Sequence, residues 1–320
     1  MRIFITGEDG FIAKNLPKSL EKFGSESVSL GEDMNVRGTE VCVYNNSVEA
    51  WAEALKSKGV DLIIHNAAVV GTDVVAMDPG ESTLSNVTGT HTICRAAKRL
   101  GIPVCYIGTT VVYDTPKYQD TWITEESAKC PRTLYGIQKL AAENIVTTHC
   151  DRWLVIRPLF AYGGVGDMNS LIAKTFYSFI KNKNRKIDMF LDPTKYKDYM
   201  HVEDFCDAVS IACHGDTWND DFNVSAETPL ETGAIIELMS DIVGSDLAGC
   251  VNWHTNTDYL GNHRLSSKKF RTSYDWNPSF SLSSGIRTAW ESIQKGNDSY
   301  NPLKYLDQAK ENNIDLTEFY

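Results

Sequence analysis

The first thirteen residues constrain the fold of this chain more than any other segment. Residues 2–6 form a short apolar run that leads into Gly7, Gly10 and Ala13, and an amphipathic stretch follows. A strand, a glycine turn and a helix in that order let the pyrophosphate of a dinucleotide approach the backbone and meet the unpaired N–H groups at the start of the helix. The usual spacing is Gly-x-Gly-x-x-Gly, so this variant is not specific by itself. It predicts a dinucleotide-binding turn that other residues must support.

Apolar runs alternate with helical patterns through the first half of the chain. We predict strands over 2–6, 27–30, 61–65, 103–108 and 153–157, and helices over 11–23, 50–57, 83–100 and 134–150. This alternation is typical of right-handed βαβ units, and it predicts an α/β fold with a Rossmann-type doubly wound parallel sheet.

Beyond residue 163 the pattern becomes polar and rich in loops, with predicted helices over 171–181, 203–213 and 231–243. We therefore expect an NAD(P)-binding Rossmann domain over 1–163. Residues 164–320 are expected to form mainly a smaller C-terminal substrate-binding lobe, which closes over the carboxyl ends of the strands. A segment near 198–225 is expected to return to the first domain.

Composition and charge narrow the class of partner. The chain has 320 residues, of which 42% are hydrophobic, as is usual for a globular protein. Its net charge of −11 repels the phosphate backbone of a nucleic acid. No apolar stretch approaches the roughly 20 residues that cross a bilayer. Eight cysteines lie scattered without a Cys-x-x-Cys pair, and seven histidines show no ligand spacing. We expect a cytoplasmic protein that binds no nucleic acid, no membrane and no metal.

A tyrosine and a lysine four residues apart carry the predicted chemistry. The chain has four such pairs, Tyr113/Lys117, Tyr135/Lys139, Tyr177/Lys181 and Tyr300/Lys304. Proline interrupts the first and the last pair, and nothing reactive precedes the third. Tyr135 and Lys139 share one face of a predicted helix, and they follow Thr109, which ends a predicted strand. These three residues are therefore the candidate catalytic set.

The three side chains suit proton transfer. A phenol has a pKa near 10, so an ammonium group such as Lys139 is needed nearby to stabilise the phenolate at neutral pH. Lys139 can also bond a cofactor ribose. Thr109 can hold a substrate oxygen whose proton Tyr135 removes. An ordinary half-buried tyrosine is the alternative for Tyr135 taken alone, and the ordered set of motifs argues against it.

Taken together, these motifs resemble those of the extended short-chain dehydrogenases/reductases, in the family of NAD-dependent nucleotide-sugar epimerases and dehydratases. The matching segments span roughly residues 1–295, at 6–13, 64–68, 86–90, 109–113, 135–139, 157–163, 198–204, 222–224 and 276–278. The resemblance implies cofactor contacts by nine residues: Gly7, Gly10, Phe11, Ile12, Glu32, Ala67, Asn86, Tyr135 and Lys139. It implies a nucleotide-sugar substrate held by candidates from both halves: Thr110, Phe160, Asn169, Lys197 and Arg264.

Two substrate candidates depart from the family pattern. Phe160 stands where many relatives carry an asparagine, and Lys197 stands where an arginine normally clamps the diphosphate. A lysine is a point charge and cannot bind a diphosphate as a bidentate fork. These departures favour an atypical nucleotide sugar.

The residues after Thr109 discriminate among the reactions of the family. The 4,6-dehydratases resemble Thr-Asp-Glu at this point, whereas Thr110 and Val111 offer neither carboxylate. We therefore expect an NAD-dependent nucleotide-sugar 4-epimerase, in which C4 is transiently oxidised and re-reduced with Tyr135 as the base. The alternative is an NAD(P)H-dependent nucleotide keto-sugar reductase. An alternative of another class is a non-catalytic nucleotide-binding module.

Cofactor choice and assembly complete the expectations. Glu32, near the end of the second predicted strand, is expected to accept the adenosine ribose hydroxyls and to favour NAD, while Arg37 keeps NADP open. The patterns over 83–100 and 134–150 carry apolar residues on more than one face. Relatives pair these helices across a dimer, so we expect a homodimer, the alternative being that one subunit covers both faces itself.

Overall fold

Parallel strand pairing builds the central sheet. The computed structural model describes residues 1–30, 45–113, 121–167, 169–182, 186–255 and 261–295. The strands in this part of the chain are β1 (Arg2–Thr6), β2 (Glu26–Val28), β3 (Leu62–His65), β4 (Val104–Ile107), β5 (Trp153–Pro158), β6 (Ala161–Tyr162), β7 (Ile187–Met189), β8 (Tyr196–Lys197), β9 (Met200–His201), β10 (Asp220–Val224), β11 (Leu230–Glu231) and β12 (Val251–Trp253). Six of them form one sheet in the order β10-β5-β4-β3-β1-β2, with every neighbouring pair parallel. The predicted Rossmann-type α/β fold is confirmed.

Helices cover both faces of this sheet. The α-helices in the described chain are α1 (Phe11–Lys22), α2 (Val48–Ser57), α3 (Thr72–Met77), α4 (Pro79–Thr83), α5 (Thr90–Leu100), α6 (Leu134–His149), α7 (Leu171–Asn182), α8 (Val202–His214), α9 (Thr232–Val243), α10 (Lys268–Tyr274) and α11 (Leu282–Gln294). Among these helices none combines the length and the apolar character that crossing a bilayer requires.

Alternate strand residues face two separate cores. Ile3 and Ile64 pack with residues of α1 and α8, whereas Phe4 and Ile63 pack with residues of α2, α5 and α6. Every residue of β3 and β4 is buried. Burial on both faces explains why these strands appear in the sequence as continuous apolar runs rather than as an alternating pattern.

Short strand pairs and three helices build much of the second half. β6 pairs with β9 and β7 with β12 in parallel, whereas β8 pairs with β11 antiparallel. A third core joins α7, α9 and α11 through residues such as Phe176, Met239 and Ile286. The strand β10 instead pairs with β5 of the central sheet. The domain boundary at residue 163 stays a prediction.

The helix predicted over 83–100 is divided in the structure. An α-helical turn, α4, is followed by a π-helical segment at Leu84–Gly89, and regular α-helix resumes at Thr90. The Thr90 hydroxyl donates to the carbonyl oxygen of Asn86 at 2.7 Å. Side-chain bonds of this kind compete with the backbone pattern, and hydrophobic periodicity carries no trace of them. Such π-helical segments are frequent at functional sites.

Candidate active site

The candidate residues gather where the parallel strands end. The carboxyl ends of β1, β3, β4 and β5 lie at one edge of the sheet. β1 lies between β2 on one side and β3 on the other, so the chain reverses its direction of travel across the sheet at β1. In open α/β sheets the crevice outside such a switch point is where ligands bind.

The glycine turn leaves no room for side chains. Gly7 has a φ of 71°, in the left-handed region that favours glycine, and a Cβ there would lie 2.9 Å from the Ala67 Cα. A Cβ on Gly10 would lie 3.0 Å from the Gly7 carbonyl oxygen, which accepts a hydrogen bond from the Gly10 N–H at 2.9 Å. The turn is therefore packed directly against the segment that follows β3.

The helix behind this turn fits a pyrophosphate. Gly10 is the N-cap of α1 and offers no side-chain cap, and the first turn carries no acidic residue. The N–H groups at this helix start can therefore be capped by an anion, which the helix dipole also favours. Phe11 and Ile12 pack against the core and fix the first turn. The residues present thus fit a dinucleotide cofactor.

A buried histidine ties the two strands beside the turn. The Thr6 hydroxyl oxygen accepts from the N–H groups of Asn66 and Ala67 at 3.0 and 2.9 Å, so its proton is directed to His65 Nδ1 at 2.7 Å. His65 Nε2 then donates to the Thr90 hydroxyl at 2.9 Å. Burial, with the nearby charge of Lys139, lowers the pKa of His65 to about 3. The ring is neutral and holds Ala67 beside Gly7.

Asn86 acts as a clamp within the π-helical segment. Its Oδ1 accepts from the Val69 N–H at 2.7 Å, and its Nδ2 donates to the Val69 carbonyl at 3.0 Å and to Gln138 Oε1 at 2.9 Å. Both amide hydrogens are engaged inside the protein. Asn86 therefore positions the segment after β3, which lies along the predicted cofactor site.

Thr109 and Tyr135 meet at the end of β4. Thr109 directly precedes a turn of 3-10 helix at Thr110–Val112 and accepts from the Val111 N–H at 3.3 Å. The Tyr135 hydroxyl lies within reach of the Thr109 side chain, which favours the phenolate. Burial raises the pKa of Tyr135 to about 12, and Thr109 opposes that rise. The pair predicted from the sequence is in contact.

Lys139 lies one turn further along α6. Its ammonium group donates to the Ile107 carbonyl oxygen at 2.8 Å and sits 4.2 Å from the centre of the Tyr106 ring. Burial lowers the pKa of Lys139 to about 7, with Glu143 opposing the change. The ammonium is thus anchored on the last residue of β4, two positions before Thr109.

Gly136 lets α6 come close enough to the Thr110–Val112 turn for Tyr135 to meet Thr109. The sequence analysis did not single out this glycine. A Cβ on Gly136 would lie 2.7 Å from the Val111 carbonyl oxygen and 2.8 Å from the Pro131 Cβ. α6 can therefore approach the Thr110–Val112 turn only because residue 136 has no side chain. The signal in the sequence is a glycine directly after the candidate tyrosine.

Gly136→Ala is expected to lower turnover about 100-fold, because a shift of about 1 Å between reacting groups has an effect of that size. Gly80→Ala is the matched control, since it also lies in a helix and its Cβ would lie 3.6 Å from its nearest neighbour, Asp78 Oδ1. Steady-state rates of both variants at equal folded concentration test the claim. Wild-type turnover in Gly136→Ala would contradict it.

The substrate candidates fall into three places. Phe160, Lys197 and Arg264 come together around residues 261–264: the Phe160 ring lies 5.1 Å from the His263 ring, Lys197 Nζ donates to the Gly261 carbonyl at 2.6 Å, and the Arg264 guanidinium lies 4.4 Å from the Tyr196 ring. Thr110 is buried beside the catalytic pair. Asn169 is exposed just before α7.

Glu32 and Arg37, the predicted cofactor-selecting residues, lie outside the described residues.

Burial changes what can be expected of Lys197. Its side chain is 2% exposed, and its ammonium group already serves the Gly261 carbonyl. In this arrangement Lys197 fixes the 261–264 segment against β8. The more accessible guanidinium of Arg264, on the same segment, is the better candidate to face a diphosphate.

A buried ion-pair network lies behind β4 and β5. Arg157 donates to Glu143 through Nε at 3.0 Å and Nη2 at 2.9 Å, and to the Tyr113 hydroxyl through Nη1 at 2.9 Å. Asp221 on β10 lies 2.6 Å from Nη2. Glu143, one turn after Lys139 on the buried side of α6, is a second residue that sequence reasoning missed. Its signal is the four-residue spacing Tyr135, Lys139, Glu143.

Comparisons with known proteins identify the family of the chain. The model of the NAD dependent epimerase/dehydratase family matches residues 3–225. A dTDP-4-dehydrorhamnose reductase of Shigella flexneri is 29% identical over 197 residues, which are 61% of this chain and 62% of the relative, so the match spans less than two thirds of the relative's length. A GDP-6-deoxy-D-mannose reductase of Pseudomonas aeruginosa is 24% identical over 316 residues, 91% of this chain and 97% of the relative.

A solved structure shares the fold. RMD from Pseudomonas aeruginosa, complexed with NADPH, superposes with a TM-score of 0.78 at 21% identity and covers 92% of this chain and 99% of its own. The family model extends from β1 through β10 and includes the glycine turn, Thr109, Tyr135 and Lys139. This chain therefore belongs to the NAD dependent epimerase/dehydratase family, as its motifs predict.

Proposed function

We propose that the chain is an NAD(P)H-dependent reductase that converts the C4 ketone of a nucleoside-diphosphate 6-deoxysugar into an alcohol. The observation that carries the proposal is the meeting of the buried Tyr135 and Thr109 side chains at the end of β4, one helical turn from Lys139. A proton donor in contact with a hydroxyl that can hold the carbonyl oxygen is what ketone reduction needs from a protein. The names of the two curated relatives support this substrate class.

The reaction divides its two transfers between cofactor and protein. A reduced nicotinamide, when bound, supplies a hydride to the carbonyl carbon. Thr109 holds the carbonyl oxygen, and Tyr135 gives that oxygen its hydroxyl proton as the new C–H bond forms. The alcohol is released, and Tyr135 regains its proton from solvent. We assign Lys139, which the structure places on the Ile107 carbonyl, to stabilising the transient phenolate through the charge of its ammonium group.

The protonation state of Tyr135 supports the reductive direction. Because burial raises the pKa of Tyr135 to about 12, the phenol carries its proton at neutral pH. Reduction consumes that proton in its first turnover, whereas oxidation of an alcohol requires the phenolate at the outset. The same residues can serve either direction, and the protonated phenol is the form that reduction requires.

The reductase takes precedence over the 4-epimerase that the residues alone place first. Thr110 and Val111 argue against a dehydratase, but they do not distinguish an epimerase from a reductase. Both curated relatives reported above are reductases by name, and this favours the reductase over the epimerase. Contact between Thr109 and Tyr135 also argues against a purely nucleotide-binding module, because such a module has no need of a proton donor there.

We also infer that two copies associate through α6 and the π-helical segment. Leu84 is 44% exposed, and Leu134 and Ile137 are 39% and 51% exposed. Large apolar side chains that remain exposed are typical of interaction surfaces when they form one patch. The mass of the protein in dilute solution tests the homodimer.

The proposed function is tested with purified protein and nucleoside-diphosphate 4-keto-6-deoxysugars. We expect one reduced nicotinamide to be consumed for each keto sugar reduced. The loss of near-ultraviolet absorbance of the reduced nicotinamide measures this consumption. The control is the corresponding nucleotide hexose without added reductant. Conversion of that hexose into its C4 epimer, without net cofactor consumption, would replace the reductase with the epimerase.

A further inference from the structure

The glycine turn carries an acidic residue at a position that faces the second strand. Glu8 lies between Gly7 and Gly10, and its Oε2 accepts a hydrogen bond from the Ser29 hydroxyl at 3.0 Å. Ser29 directly follows β2, which pairs with β1 in parallel register. A carboxylate from the first turn is thus held at the carboxyl end of the second strand.

This end of the second strand is where dinucleotide folds distinguish their cofactors. A carboxylate there accepts hydrogen bonds from the adenosine ribose hydroxyls, whereas an arginine is used to accommodate a 2′-phosphate. A phosphate monoester carries close to two negative charges at neutral pH. Glu8 is exposed, so a ligand lying along the turn can reach its carboxylate.

The position of Ser29 gives the carboxylate a fixed direction. Without a partner, an exposed glutamate samples several rotamers and its charge is spread over them. The bond from Ser29 restrains the Glu8 carboxylate beside β2. Among the described residues none donates a hydrogen bond to its second oxygen, Oε1, which can therefore accept a further donor. A ribose hydroxyl can supply that donor, and a 2′-phosphate cannot.

We propose that Glu8, oriented by Ser29, selects NAD(H) over NADP(H) in this protein. The inference rests on the proposed function only in requiring that the glycine turn bind a dinucleotide. It adds a selecting residue from the first turn to the one that the sequence places at Glu32.

Equilibrium binding tests the proposal without any turnover. Calorimetric titration of the full chain with NADH and with NADPH should give a Kd for NADPH that is at least about tenfold higher than the Kd for NADH. The reason is that the repulsion between two like charges placed together exceeds the free energy that corresponds to a tenfold change in Kd. Added salt should narrow the difference, because it screens exposed charges. Glu8→Gln should strengthen NADPH binding about tenfold and change the Kd for NADH by less than about threefold.

Two further variants make the test specific. Asp9→Asn removes the neighbouring carboxylate of the same turn, and it should leave the ratio of the two Kd values unchanged. Ser29→Ala keeps the negative charge of Glu8 but removes the hydrogen bond that orients it. This variant should reduce the ratio of the Kd for NADPH to the Kd for NADH only in part. Equal or tighter binding of NADPH by the unaltered protein, or an unchanged ratio in Glu8→Gln, would overturn the inference alone. Binding of neither dinucleotide would overturn the proposed function as well.

Discussion

Tyr135→Phe is expected to lower kcat about a thousandfold. The substitution removes the hydroxyl that lies beside Thr109, and positioned proton transfer contributes between about 10² and 10⁴ in rate. The ring remains, so its packing at the start of α6 is retained. Initial rates with saturating keto sugar and reduced nicotinamide, compared with the Kd for the cofactor, measure the effect. The Kd is expected to stay within about threefold of the wild-type value, because the loss falls on the transition state.

The control for this variant is another tyrosine of the same motif spacing. Tyr177 precedes Lys181 by four residues and lies in α7, away from the end of β4. Tyr177→Phe should retain turnover close to wild type. If Tyr135→Phe keeps more than about a tenth of the activity, Tyr135 is not the proton donor.

Arg157→Met is expected to lower the free energy of unfolding by about 3–5 kcal/mol, the usual cost of removing one partner from a buried ion pair. Arg157 is 1% exposed and is held by Glu143, Tyr113 and Asp221. Its loss leaves the carboxylate of Glu143 buried without its guanidinium. Unfolding in urea, followed by circular dichroism, measures the change.

Two comparisons isolate the charge from the packing. Arg287→Met removes an exposed arginine from α11, and it should change stability by less than about 0.5 kcal/mol. Arg157→Met combined with Glu143→Leu should recover at least about 1 kcal/mol of the loss, because no unpaired carboxylate remains. A double variant as unstable as the sum of its single variants would show that the pair contributes no coupling.

The fold was predictable because local patterns carry it. The apolar runs that become β1, β3 and β4 are short, continuous and separated by helical patterns, and each appears in the structure within a residue or two of its predicted bounds. The glycine turn and the Tyr135/Lys139 spacing likewise depend on neighbours in sequence. These features survive folding because tertiary contacts reinforce them rather than compete with them.

The features that sequence did not supply depend on distant contacts. The break at Leu84–Gly89 accompanies the bond from Thr90 to Asn86. The need for glycine at residue 136 arises from Val111 and Pro131, on a different segment. Lys197 was expected at the diphosphate by its position in a motif, and its burial against Gly261 becomes apparent only when β8 and residues 261–264 are brought together.

Transfer of deuterium most directly tests the central claim, that Tyr135 and Thr109 serve the reduction of a C4 ketone. The purified protein is given a nucleoside-diphosphate 4-keto-6-deoxysugar and a reduced nicotinamide cofactor that carries deuterium at its transferable position. The account predicts one deuterium at C4 of the product for each cofactor oxidised, and loss of this transfer in Tyr135→Phe. Formation of both C4 epimers of the alcohol, or transfer undiminished in Tyr135→Phe, would contradict it.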